Sequence, residues 1–107
     1  MIGEFEYLIL TAAARLGDSA YGAAIREFIE AAGQRCSIGA LYTTIDRLEG
    51  KGLIKTWMGE PTPERGGRAK RLIQLTGAGV HAASEFYGAV RRVSHGVSWE
   101  TNRSAME

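Results

Sequence analysis

The stretch from residue 37 to residue 76 constrains the fold most. It runs Ser37-Ile38-Gly39-Ala40-Leu41-Tyr42-Thr43-Thr44-Ile45-Asp46-Arg47-Leu48 and on through Gly52-Leu53-Ile54. A Gly/Pro/Arg-rich segment follows, then Arg68-Ala69-Lys70-Arg71-Leu72-Ile73-Gln74-Leu75-Thr76. The Ser37 hydroxyl can cap a free backbone N–H, which predicts a helix starting there. Ile38, Leu41, Tyr42, Ile45 and Leu48 form an inner stripe, and Gly52 ends the helix. Gly39, Ala40, Thr43, Thr44 and Arg47 are left facing outward. Leu53 to Met58 reads as a strand from its Ile, Thr and Trp content. Residues 59–69 carry two prolines and three glycines and read as a loop. Lys70 to Leu75 is the return strand, with Ile73 and Leu75 on one face, and Thr76 can cap a further helix. A capped amphipathic helix joined to a two-stranded ribbon with a basic tip is the result.

The rest of the chain supplies helices. Phe5, Leu8, Ile9, Ala12, Ala13 and Leu16 recur at helical spacing over residues 4–16. Tyr7, Leu10 and Ala14 lie off that stripe and are also apolar. A helix apolar nearly all round needs cover on two sides, as a central core helix or with one face against a partner subunit. Gly17-Asp18-Ser19 breaks the chain, and Ser19 can cap a second helix that buries Tyr21, Ala24, Ile25, Phe28, Ile29 and Ala32 and stops at Gly33. In the last helix Ala83, Phe86, Val90, Val93 and Val97 step by 3, 4, 3 and 4, a short a/d seam suited to packing against other helices. The order helix, helix, helix, strand, loop, strand, helix is that of a winged helix-turn-helix, mainly α with a small β-ribbon. The expected organisation is a winged domain over residues 1–76, a continuous dimerisation helix over 77–97 and a disordered tail over 98–107.

Charge distribution says more than net charge. The formal total is +1, yet residues 1–34 hold 2 basic and 5 acidic side chains, and residues 35–75 hold 8 basic and 4 acidic. Positive charge therefore concentrates in the helix and ribbon that could meet phosphate. A single cysteine, Cys36, excludes an internal disulfide and suits a reducing cytosol. The N-terminus has Glu4 and Glu6 and no basic leader, and no apolar run approaches the ~18 residues of a membrane span. A cytoplasmic protein is expected.

The chemistry expected of these features is nucleic-acid binding. A major groove ~12 Å wide admits a helix best when its leading residues are small. Arg47 can pair with guanine O6 and N7 or clamp a phosphate. Thr43 and Thr44 can bond bases or phosphates. Arg65 and Arg68, followed by Lys70 and Arg71, give the ribbon tip a cationic edge for backbone or minor groove. A plain solvated helix and a surface loop are the competing readings. Tyr42 sits at the border of the stripe, either with its ring inward and its hydroxyl reaching a phosphate or simply packed in the core. Trp57 is expected beneath the ribbon. Trp99, just past the seam, is a candidate wall for a ligand pocket between subunits, with a loosely packed tail residue as the alternative. Cys36 precedes a helix N-terminus, a place that lowers thiol pKa, but lacks a second thiol. His81 and His95 are too far apart for an i, i+4 metal pair. No catalytic set stands out, so no enzyme activity, metal or cofactor is expected. Two other readings stay open: a winged-helix protein-interaction module without an operator, and a ligand-responsive sensor with its pocket at a dimer interface.

In order along the chain, Ala20-Tyr21-Gly22 with Ile25, Ser37-Ile38-Gly39-Ala40-Leu41-Tyr42, Leu48-Glu49-Gly50-Lys51-Gly52-Leu53-Ile54, and Gly67-Arg68-Ala69-Lys70-Arg71 leading to Leu75-Thr76-Gly77-Ala78-Gly79 resemble the PadR family of bacterial transcriptional regulators. The likeness spans residues 4 to about 95. It implies a homodimer built by the last and first helices, with Tyr7, Leu10, Ala83, Phe86, Val90, Val93 and Val97 at the interface. It implies binding to a palindromic promoter site on double-stranded DNA, usually to repress transcription. The DNA contacts it carries over are Ser37, Gly39, Tyr42, Thr43 and Arg47, with Arg65 and Arg68 in the wing. Many relatives have proline where this chain has Thr43. Some relatives respond to phenolic or multidrug ligands, so a small aromatic effector is a candidate partner. A single C-terminal helix matches the small subfamily.

Overall fold

The computed structural model describes residues 1–60 and 70–100. Its elements are α1 (Glu4–Leu16), a 3-10 turn (Gly17–Ser19), α2 (Gly22–Ala31), α3 (Ile38–Gly50), β1 (Ile54–Met58), β2 (Arg71–Leu75) and α4 (Gly77–Ser94). The expected order is present, and the fold is the winged helix-turn-helix.

Helix α1 is the centre of the molecule. It packs on α2, α3, α4 and β2, which explains why it is apolar nearly all round. Ile9 and Leu10 are wholly enclosed, together with Ile25 of α2 and Leu41, Ile45 and Leu48 of α3. Each such side chain contributes roughly 1.5–3 kcal/mol relative to exposure. Leu10, expected at a subunit interface, therefore belongs to the protomer's own core. Tyr7 is half-buried and stacks on Phe86 of the same chain, ring centroids 4.8 Å apart.

The ribbon is antiparallel, with Ile54 opposite Leu75, Thr56 opposite Ile73 and Trp57 opposite Leu72. Ile54 and Ile73 point into the core. The outer edge of β2 takes up the segment before α2: Ile73 N donates to Ala20 O at 2.8 Å, and Tyr21 bridges Leu72. This pairing corrects the expected helix start. Ser19 lies in the 3-10 turn, and extended Tyr21 is the N-cap, without a side-chain cap bond. Other stripe residues differ from expectation as well: Phe28 of α2, Ala32 at its C-cap and Ile38, the first residue of α3, are exposed.

The first turn of α4 is bolted to the α3–β1 corner. Thr76 N donates to Leu53 O at 3.0 Å, Thr76 Oγ1 donates to Gly52 O at 2.7 Å and accepts from Gly79 N at 3.1 Å. Gly52 adopts φ +75°, the left-handed turn expected after α3. At its far end α4 stops at Ser94, with His95 as C-cap and Gly96 at φ +80°. Val97, the last position of the expected seam, thus lies past the helix.

Glu6 is a buried carboxylate that its sequence position did not reveal. Its Oε1 accepts from Gly3 N at 3.0 Å and its Oε2 from Lys51 Nζ at 2.8 Å, joining the start of α1 to the end of α3. Burial alone would raise its pKa. The bonds from Gly3 and Lys51, with the positive charge of Lys51 and Arg47, outweigh burial and hold it below the ordinary 4.5. With a depressed folded-state pKa, its contribution is complete above pH 4.5 and is lost as acid titrates the folded carboxylate. Glu6→Gln is expected to cost about 1–2 kcal/mol at neutral pH, discounted for the partial exposure of Lys51. The variant should also lose less stability than wild type on acidification below that value. Urea unfolding across pH checks this, and parallel acid slopes would contradict it.

Candidate nucleic-acid interface

Helix α3 begins with Ser37 in an extended conformation, its Oγ accepting from Ala40 N at 3.2 Å. The cap fixes where the helix starts and leaves other first-turn amides directed outward, a favourable place for an anion. Leu41, Thr44, Ile45 and Leu48 are the buried face. Gly39, Thr43, Asp46 and Arg47 are exposed on the opposite side, with Ala40 at its margin. The small leading residues and Arg47 therefore stand where the sequence places them. Thr44 does not: it is only 5% exposed, turned into the core beside Ile45. Thr44 lies 100° round from Thr43, far enough to join the buried stripe.

Tyr42 is positioned by α2. A Cβ on Gly22 would lie 2.8 Å from the Tyr42 ring carbon Cζ and would overlap the hydroxyl. The phenol thus lies directly over the first residue of α2, which accounts for glycine after Tyr21. Its edge remains exposed.

One ribbon residue ties the wing to this helix. The Arg71 guanidinium lies 2.9 Å from Asp46 Oδ1 and 3.2 Å from Glu49 Oε1, and its Nε donates to Thr56 Oγ1 at 3.3 Å. Glu49 Oε2 accepts from Thr56 Oγ1 at 2.7 Å and from Thr56 N at 3.2 Å. The Thr56 hydroxyl, with the Thr56 amide and Arg71, holds the Glu49 carboxyl below its usual pKa. Sequence reasoning missed Asp46 and Glu49. Two carboxylates one turn apart on α3, close to a basic ribbon, were the available signal. Lys70, expected to meet DNA, stands over the Tyr21 ring at 4.1 Å, a cation–π contact at the base of the wing. Arg65 and Arg68 lie outside the described residues.

Cys36 is buried, and its carbonyl accepts from Arg26 Nε at 2.6 Å. Burial and the Glu30 charge push its thiol pKa up, against a smaller opposing effect of Arg26. The helix N-terminus does not yield a reactive thiolate here.

The second exposed feature is α4. Ala83 and Phe86 are half-buried against the core. Beyond them Tyr87, Val90 and Val93 are exposed, as are Val97 and Trp99 after the helix end, Trp99 at 81%. Trp57 is also exposed and lines a cavity of about 430 Å³ with Ala13, Leu72 and Val80. Among the described residues no helix is long and apolar enough to cross a membrane, and no three His, Cys, Asp or Glu side chains gather where they could hold a metal ion.

The architecture recurs in solved structures. A PadR-like transcription factor from Bacteroides fragilis is 22% identical and superposes with a TM-score of 0.68, covering 87% of this chain and 85% of its own. A PadR family transcriptional regulator from Eggerthella lenta is 23% identical, with a TM-score of 0.66 and coverage of 92% and 88%. The complex structure of hsRosR-S1 matches at 28% identity, a TM-score of 0.59 and coverage of 85% and 74%. Comparison with proteins of curated function gives no match. The sequence pattern of the Transcriptional regulator PadR-like family matches residues 9–96. With α2, α3, the ribbon and the whole of α4 inside that span, the chain belongs to the PadR-like family of transcriptional regulators.

Proposed function

We propose that the chain is a cytoplasmic homodimeric repressor that binds a pseudo-palindromic operator. Each protomer inserts α3 into a major groove, and its wing meets flanking backbone or minor groove through Arg65 and Arg68. The observation that carries this reading is the uncovered outer face of α3. It is capped at Ser37, small at Gly39 and Ala40, and charged at Arg47. The exposed apolar side of α4 supports the dimer, since Val93 is 85% exposed and Val90, like Val97 just past the helix, is only half covered. A two-fold dimer would read half-sites about one helical turn, or a multiple, apart.

Gel-shift titration tests the DNA contacts. Arg47→Ala is expected to weaken operator binding by about 1–3 kcal/mol and to relax selectivity at one position. Arg65→Ala and Arg68→Ala are expected to weaken binding to all sequences alike and to flatten its salt dependence by roughly one unit of slope each. Undiminished binding by the Arg47 variant, or an unaltered salt slope in the wing variants, would remove the corresponding contact from the account.

A further inference from the structure

We infer that Asp46 is a specificity-determining residue that reads an exocyclic amino group in the major groove, the N4 amine of cytosine or the N6 amine of adenine. The inference rests on the DNA-binding reading above and adds a ligand chemistry to it. Asp46 stands on the same outward face of α3 as Gly39, Thr43 and Arg47. Its side chain is 67% exposed although Arg71 lies 2.9 Å from one carboxylate oxygen, Oδ1. Arg71 is itself mostly buried and is shared with Glu49 and Thr56, so it holds the carboxylate in place from the wing side without covering it.

A carboxylate is an acceptor only. Against a surface of phosphates and acceptor-rich base edges it is repelled, unless it meets a donor. The major-groove edge offers two kinds: cytosine N4 and adenine N6. Guanine and thymine present acceptors there, so Asp46 disfavours them at the same position. The residue thus selects by repulsion as well as by attraction. Arg47, its neighbour in sequence, suits the opposite chemistry of guanine O6 and N7. The two adjacent side chains would read a donor and an acceptor on neighbouring base pairs.

The test uses the full chain and a duplex recovered by in vitro selection from random DNA. Purine replaces each adenine, or 2-pyrimidinone each cytosine, in turn, deleting only the amino group. Wild type is expected to lose roughly tenfold in affinity at one position per half-site, the scale of a base-edge contact. Asp46→Ala should be insensitive to that same deletion, and which analogue acts identifies the base. Asp46→Ala should also bind random duplexes more tightly at low salt, because a repulsive charge has gone. Asp46→Asn serves as a second variant of nearly the same shape, and unfolding curves of both variants establish that the fold is kept. If wild type selects a sequence but Asp46→Ala shows the same analogue sensitivities, this inference falls and the DNA-binding reading stands. If wild type selects no sequence, both fall.

Discussion

Gly79→Ala is expected to destabilise the protein by about 3 kcal/mol or more, the upper range for forcing extra volume into a packed site. Glycine to alanine inside a helix ordinarily gains roughly 0.5–1 kcal/mol. Here the sign reverses, because a Cβ at position 79 would overlap the Leu53 carbonyl oxygen and lie 3.0 Å from the Leu53 carbonyl carbon. That obstacle is backbone, and it cannot swing aside. Leu53 is pinned by the bond from Thr76 N, and Thr76 also bonds to Gly52 O and accepts from Gly79 N itself. A shift of α4 and its cap away from this corner would break the bonds from Thr76 to Leu53 O and Gly52 O. Gly77 is the internal control. It lies two residues earlier in the same helix, and a Cβ there meets nothing within 4 Å. Gly77→Ala should be neutral or mildly stabilising in the same urea titration. Equal behaviour of the two variants would show that the α4–Leu53 contact is looser than described.

Val93→Glu is expected to convert a dimer to a monomer and to lower operator affinity by about a hundredfold or more. Val93 is 85% exposed, so a charge there should leave the protomer's own stability unchanged. In the proposed dimer the same position lies within the apolar seam with Val90, and an unpaired carboxylate there carries a large desolvation penalty. Losing the partner converts two linked half-site contacts into one, and such linkage is worth about 10²–10⁴ in affinity. Sedimentation at micromolar concentration and a gel shift on the same sample read both effects. A Val93→Glu chain that remains dimeric would place the subunit contact elsewhere.

Much of this fold was legible in the sequence because short-range rules govern it. Ser37 and Thr76 both cap the helices they precede, each accepting from an amide three residues on. The apolar periodicity of α1 marked a helix enclosed on several sides. What escaped were pairings that depend on distant chain. Tyr21 starts α2 because Ala20 and Tyr21 are taken up by the edge of β2, residues far along the sequence. Nothing local marks Glu6, whose partner Lys51 lies at the end of α3. Nothing local sets Asp46 and Glu49 apart, and only the return strand brings Arg71 to them. Threonine was a further source of error. Thr43 and Thr44 are alike in composition, and only the rotation of the helix sends one outward and the other into the core.

In the proposed dimer two copies of α3 read one duplex together. Selection of binding sites from random double-stranded DNA by the wild-type chain tests it most directly. The expected outcome is an enriched inverted repeat whose half-site centres lie about 10–10.5 base pairs apart, or a multiple of that. Recovery of a single unrepeated site, or of no common sequence at all, would contradict it.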